Sequence, residues 1–170
     1  MEGVLAAFRV RIFVFFAAVS AALALFVPAV SKTEPGPFSG LAGSWSGSGT
    51  VALAGGPRER IRCRAHYTVG SGGNSLQQSL RCASDSYRFD LSSNVRAQGG
   101  QISGNWSESS RNIQGVLFGQ AQPGRIHVNV TGPGFAANLS LATHGDRQSV
   151  TINSAGAQPA GASITLSRSK

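Results

Sequence analysis

Acid, base and nucleophilic chemistry is usually carried by histidine, cysteine and carboxylate side chains, and this chain of 170 residues holds few of them. The three histidines, His66, His127 and His144, are scattered, and the only cysteines are Cys63 and Cys82. A structural metal site needs four ligands at tight spacing, which this set does not offer. His144-Gly145-Asp146 could orient an imidazole. Without a Gly-x-Ser-x-Gly elbow to hold a nucleophile, it reads instead as a polar hairpin tip. Ser46-Gly47-Ser48-Gly49 is glycine-rich, yet it runs into a strand pattern and lacks the helix N-terminus that cradles phosphate. The expectation is a protein that is not an enzyme and holds no cofactor or metal.

Two other groupings have informative spacing. Arg58, Arg60, Arg62, Arg64 and His66 occupy alternate positions, so on a strand all five point the same way. The residues between them include Ile61, Cys63, Ala65 and Tyr67, the apolar face of the same strand. If a hairpin turn is centred on Gly72-Gly73, residues whose numbers add to 145 lie opposite each other. Cys63 then faces Cys82, Ala65 faces Leu80, Val69 faces Leu76, and Arg81 joins the basic stripe opposite Arg64. Opposed Cβ atoms lie about 4.5–5.5 Å apart, near enough for a cross-strand disulfide. Such a bond would stabilise the fold by about 3 kcal/mol on the chain-entropy account.

A disulfide implies an oxidising compartment, and the start of the chain agrees. Arg9 and Arg11 precede Ile12 to Phe26, an apolar run without charge, followed by Val27-Pro28-Ala29-Val30-Ser31. That is the order of a secretory signal, with cleavage expected after Ser31 or Ala29. Uncut, the same segment would be a membrane anchor. Either way the remainder is expected outside the cytoplasm, periplasmic or secreted. Beyond residue 31 there are thirteen basic and six acidic residues, a net charge of +7. This balance suits an anionic neighbour, lipid or polysaccharide, with nucleic acid not expected in that setting.

The elements that must carry these groups are strands. Lys32 to Gly40, with Pro35, Gly36 and Pro37, reads as a linker, and one domain occupies residues 41–170. No stretch there shows a helical period. Short alternating runs recur between turn signals such as Gly55-Gly56-Pro57, Gly99-Gly100, Pro123-Gly124, Gly132-Pro133-Gly134 and Gly145-Asp146. Ten strands are expected, near 44–53, 58–69, 75–83, 87–97, 101–108, 112–120, 125–131, 135–143, 147–153 and 162–168. Short links make them an antiparallel up-and-down meander, and a meander of eight to ten twisted strands hides its edges by closing into a barrel. The inward set includes Val51, Ile61, Leu76, Leu80, Leu91, Ile102, Ile126, Val128, Leu139, Leu141, Val150, Ile164 and Leu166. Small inward residues at Gly104, Gly115 and Ala137 would leave room.

Gly43-Ser44-Trp45 through Gly49 resembles the Gly-x-Trp opening of the calycin group, the lipocalin, avidin and fatty-acid-binding type of barrel. The resemblance implies that Trp45 plugs the closed end, that the last strand returns to pair with the first, and that a small apolar or amphiphilic ligand lies inside. Trp45, Tyr67, Tyr87, Phe89 and Trp106 are the candidate walls, and a pocket of a few hundred Å³ is expected, on the scale usual for small-molecule sites. Gly47 and Gly49 also resemble the start of nitrobindin-type haem barrels. Haem would need an inward histidine, however, and His66 and His127 sit on the polar side of their strands. As a whole the domain resembles small exported alphaproteobacterial proteins of unassigned function, through Glu59 to Arg64, Leu80 to Ser84 and Gly132 to Phe135. An envelope protein that meets anionic lipid or polysaccharide through Arg58, Arg60, Arg62, Arg64 and Arg81 is the alternative expectation.

Overall fold

The computed structural model describes residues 34–53, 55–154 and 159–170. The signal segment expected over residues 1–31 lies outside these. Ten strands follow in order: β1 (Gly43–Ala52), β2 (Arg58–Val69), β3 (Ser75–Ala83), β4 (Arg88–Gln98), β5 (Gln101–Glu108), β6 (Ile113–Gln122), β7 (Arg125–Gly132), β8 (Phe135–His144), β9 (Arg147–Ser154) and β10 (Gly161–Arg168). Each pairs antiparallel with its sequence neighbours, and β10 pairs with β1, so the sheet is a closed barrel. Closure leaves no strand edge bare.

Alternation decides which side of each strand is dry. Along β2 every residue from Arg60 to Thr68 switches between exposed and buried. The Gly72-Gly73 turn has left-handed φ values of 76° and 74°, a conformation glycine adopts without steric cost. It sets the register in which Cys63 lies opposite Cys82, Ala65 opposite Leu80 and Arg64 opposite Arg81. The Cys63–Cys82 disulfide is formed and faces the core.

At the seam between the first and last strands, β1 presents Gly47 and Gly49 on its inner parity. A Cβ there would lie 2.0 Å from the Thr165 or Ser163 carbonyl oxygen of β10. These positions exist because two backbones pass too closely for any side chain.

The expected linker is only partly free of the barrel. Glu34 and Pro35 are exposed, but Gly36 donates its N–H to Gly72 (2.7 Å) and Phe38 donates to Gly73 (3.0 Å). Phe38 is fully buried, and Leu41 beside it is 2% exposed. Residues 36–41 therefore fold across the barrel end that carries the β2–β3 turn.

Candidate functional site

The barrel has two unlike ends. At the closed end Trp45, 1% exposed, donates its indole N–H to the Leu41 carbonyl at 2.8 Å and meets Tyr67 edge-on, ring centroids 6.5 Å apart. The Arg168 guanidinium lies 4.3 Å from the Trp45 ring centroid. It also donates to the carbonyls of Gly40 (2.8 Å) and Ala42 and pairs with Asp146 at 2.8 Å. One arginine of the last strand thus ties the N-terminal cover, the first strand and the β8–β9 turn together. Above this layer the Tyr67 hydroxyl donates to Gln148 Oε1 (2.8 Å), and the Gln148 amide donates to Thr143 Oγ1 (3.3 Å). Burial pushes the Tyr67 hydroxyl pKa far above its ordinary value, only partly offset by the hydrogen bond to Gln148. It remains a neutral donor.

Between that floor and the other end lies a cavity of about 130 Å³. Its walls are overwhelmingly hydrocarbon, drawn from every strand but β1, with Tyr67 the one contribution of β2, and from Phe38 at the floor. The polar exceptions are few. Ser93, 4% exposed, donates to Gln78 Oε1 at 3.2 Å, and the Gln78 amide N–H has no further partner among the described residues. At the mouth stand Tyr87 and Arg111, the guanidinium carbon 4.5 Å from the tyrosine ring centroid. Burial raises the Tyr87 pKa, the positive charge of Arg111 working against it.

Arg111 is placed by Glu108, the last residue of β5. Glu108 is 1% exposed yet well supplied with donors: the N–H groups of Asp90 (2.9 Å), Ser110 (3.0 Å) and Arg111 (2.9 Å), the Ser110 hydroxyl, and the Arg111 guanidinium at 3.4 Å. Burial pushes its pKa up, but these hydrogen bonds and the arginine outweigh burial and hold it below the ordinary carboxylate value. The carboxylate thereby shapes the β5–β6 turn that carries Arg111 to the rim.

Four of the five expected wall residues line the cavity: Tyr67, Tyr87, Phe89 and Trp106. Trp45 is not among them, because Leu41, Tyr67 and Arg168 enclose it beneath the floor. Trp106 meets Phe135 edge-on at 5.6 Å. It packs beside Gly132, whose added Cβ would stand 2.9 Å from the indole, and opposite Gly115 on the next strand. The room expected at Gly115 and Gly104 is taken by neighbouring backbone, since an added Cβ would stand 1.9 Å from the Thr131 carbonyl oxygen and 2.2 Å from that of Asn94. For that reason, and because Leu, Ile and Val fill the remaining walls, the cavity is smaller than the few hundred Å³ expected. Sequence reasoning missed Phe38, Gln78, Ser93 and Arg111. Gln78 and Ser93 share the inner parity of Leu76, Leu80 and Leu91, a signal that a polar residue on a dry face could have given.

The arginines fall where alternation puts them. Arg58, Arg60, Arg62, Arg64 and Arg81 are all exposed on the outer wall of β2 and β3, with His66 beside them. Among the described residues Arg81 alone of the five has a carboxylate partner, Asp90 at 3.1 Å. His66 and His127 face outward and bond Ser44 and Ser140, and His144 is exposed near a turn. Among the described residues no three His, Cys, Asp or Glu side chains stand close enough to hold a metal.

A closed ten-strand meander with a tryptophan sealed beneath its floor and an apolar cavity agrees in fold with the calycin-like barrel that the Gly-x-Trp opening implied. Solved structures similar to it include the following two. Rv2717c from M. tuberculosis superposes with a TM-score of 0.63 at 15% sequence identity, covering 78% of this chain and 94% of that one. The S-type phycobiliprotein lyase CPES from Guillardia theta gives a TM-score of 0.58 at 15% identity, covering 78% of this chain and 90% of that one. At such identities the likeness is one of fold. No family profile matches the sequence, and no curated protein does.

Proposed function

We propose that this protein is a non-enzymatic carrier, exported to the cell envelope, that holds a small apolar or amphiphilic molecule in its barrel. The carrying observation is the cavity, apolar on nearly all sides and closed at one end by Phe38. Calycin-like barrels commonly hold small hydrophobic ligands in this position, which supports the reading. An engineered cavity of about 150 Å³ takes up benzene, so about 130 Å³ suits one aromatic ring or a short branched chain. A larger ligand would leave its remainder in the mouth, where Tyr87 and Arg111 accept a polar group and the pair of Gln78 and Ser93 meets a polar atom inside.

One of the two similar structures bears the name of a lyase, so the fold alone does not decide against catalysis. The lining does favour binding. Its polar members are Tyr67, Gln78, Tyr87, Ser93 and Arg111, with no histidine, cysteine or carboxylate among the described residues that line it. General acid and base work there would fall to Tyr67 and Tyr87, whose hydroxyls burial holds in the neutral form. Native mass spectrometry of protein taken from its host should show a bound small molecule. Ala137→Leu, which adds bulk to the wall, should lower its occupancy, or that of a hydrophobic reporter dye, at least about tenfold. That is the loss expected when roughly 1.4 kcal/mol of binding is removed. Equal dye binding by the filled variant and the parent would overturn the proposal.

A further inference from the structure

The arginine face and the cavity mouth lie at the same end of the barrel. Arg58 and Arg60 open β2, Arg88 opens β4, and Arg111 sits in the β5–β6 turn, all where the cavity opens. Register extends the patch down the wall: Arg62 lies opposite Ala83, which lies opposite Arg88, and Arg64 lies opposite Arg81. Side chains on one face of a strand repeat about every 6.5–7 Å, and neighbouring strands lie about 4.8 Å apart. The guanidinium groups therefore form a dense sheet of charge.

The carboxylates at this end are Glu59, Asp85, Asp90 and Glu108. Asp90 is paired with Arg81, and Glu108, buried, with Arg111. Glu59 receives hydrogen bonds from Ser84 (2.6 Å) and from the Ser86 hydroxyl and N–H, which keep it ionised by lowering its pKa. It turns toward the Ser84–Ser86 loop, away from the stripe. Arg58, Arg60, Arg62, Arg64 and Arg88 have no salt-bridge partner among the described residues. Half-buried apolar side chains stand on the same rim: Leu53, Phe89, Ile113 and Phe135.

We propose that this end of the barrel docks on an anionic lipid bilayer, with the arginines on the headgroup phosphates and the mouth facing the acyl region. An acidic polysaccharide would satisfy the charges equally well. It would leave the apolar rim and the adjoining cavity without a partner, whereas a bilayer supplies anions and apolar molecules together. The inference rests on the carrier reading only for what passes through the mouth; docking stands or falls by itself.

The test is flotation of the full exported chain with vesicles of phosphatidylcholine, alone or with phosphatidylglycerol added. Binding to the anionic vesicles alone is expected, weakening as salt rises. At about 1 kcal/mol per arginine near the surface, each of Arg58→Gln, Arg60→Gln, Arg62→Gln and Arg88→Gln should reduce partitioning about fivefold. Orientation is read from added tryptophans. Ile113→Trp at the rim should be quenched by brominated acyl chains, and Gln122→Trp at the opposite end should not. Ala137→Leu should still dock; dye binding by that variant equal to the parent's, with docking intact, overturns the carrier reading and leaves this one standing. Equal binding to uncharged vesicles, undiminished binding by a variant that combines Arg58→Gln, Arg60→Gln, Arg62→Gln and Arg88→Gln, quenching at Gln122→Trp instead of Ile113→Trp, or binding only to a soluble acidic polysaccharide would each overturn the docking proposal.

Discussion

Glu108 shows how a single ionised residue is made tolerable inside a barrel rim. A buried carboxylate without donors would cost several kcal/mol; here three backbone N–H groups, a hydroxyl and a guanidinium converge on it. Because its pKa is depressed in the folded protein, its stabilising contribution is complete above the unfolded value of about 4.3 and drains away as pH falls through the lower folded value. Glu59, also depressed through its serine hydrogen bonds, adds in the same direction. Urea midpoints measured across the acid range should fall with decreasing pH. Glu108→Gln should lie below the parent at neutral pH by about 1.5–3 kcal/mol, the worth of hydrogen bonds to a charged group, and show a shallower acid decline. Its amide NH2 would face the very N–H groups that the carboxylate accepts.

At the scale of elements, the strands and their register could be read from alternation because each strand has one wet and one dry side. The β2–β3 hairpin is the clearest case, since the pairing of Cys63 with Cys82 follows from the turn position alone. The cover formed by residues 36–41 could not be read this way. A segment with one proline and two glycines has no period, and one phenylalanine in it carries no signal of where it will be buried. Phe38 nevertheless closes the cavity floor at 0% exposure. Phe38→Ala should destabilise the protein by about 3–5 kcal/mol, seen as a lower urea midpoint, with Phe38→Leu recovering much of the loss. Arg111 was hidden for a similar reason, since its place depends on a turn built around Glu108 and not on strand parity.

For the molecule as a whole, the barrel is a chain of local pairings fastened by one covalent link and one seam. The disulfide closes a loop between positions 19 apart in sequence, so its reduction should lower global stability by about 3 kcal/mol through the freedom it returns to the unfolded chain. Equilibrium unfolding with and without reductant measures this directly. Fold class and the inward face were legible as patterns of single strands. The volume of the cavity was not, because it depends on how Trp106, Phe135 and the aliphatic walls interlock across strands that are far apart in sequence. The positive surface was visible in composition, but its place beside the mouth needed the barrel to be closed.

That closure sets the order in which the polypeptide can finish folding. Every hairpin can zip with its neighbour as soon as both halves exist, yet β1 keeps one raw flank until β10, more than a hundred positions later, is delivered to it. Pairings so remote in sequence are slow to find. Until the final strand arrives, the unfinished sheet has a sticky margin, and a holding chaperone that shields extended segments would be its natural companion on the way to the native state.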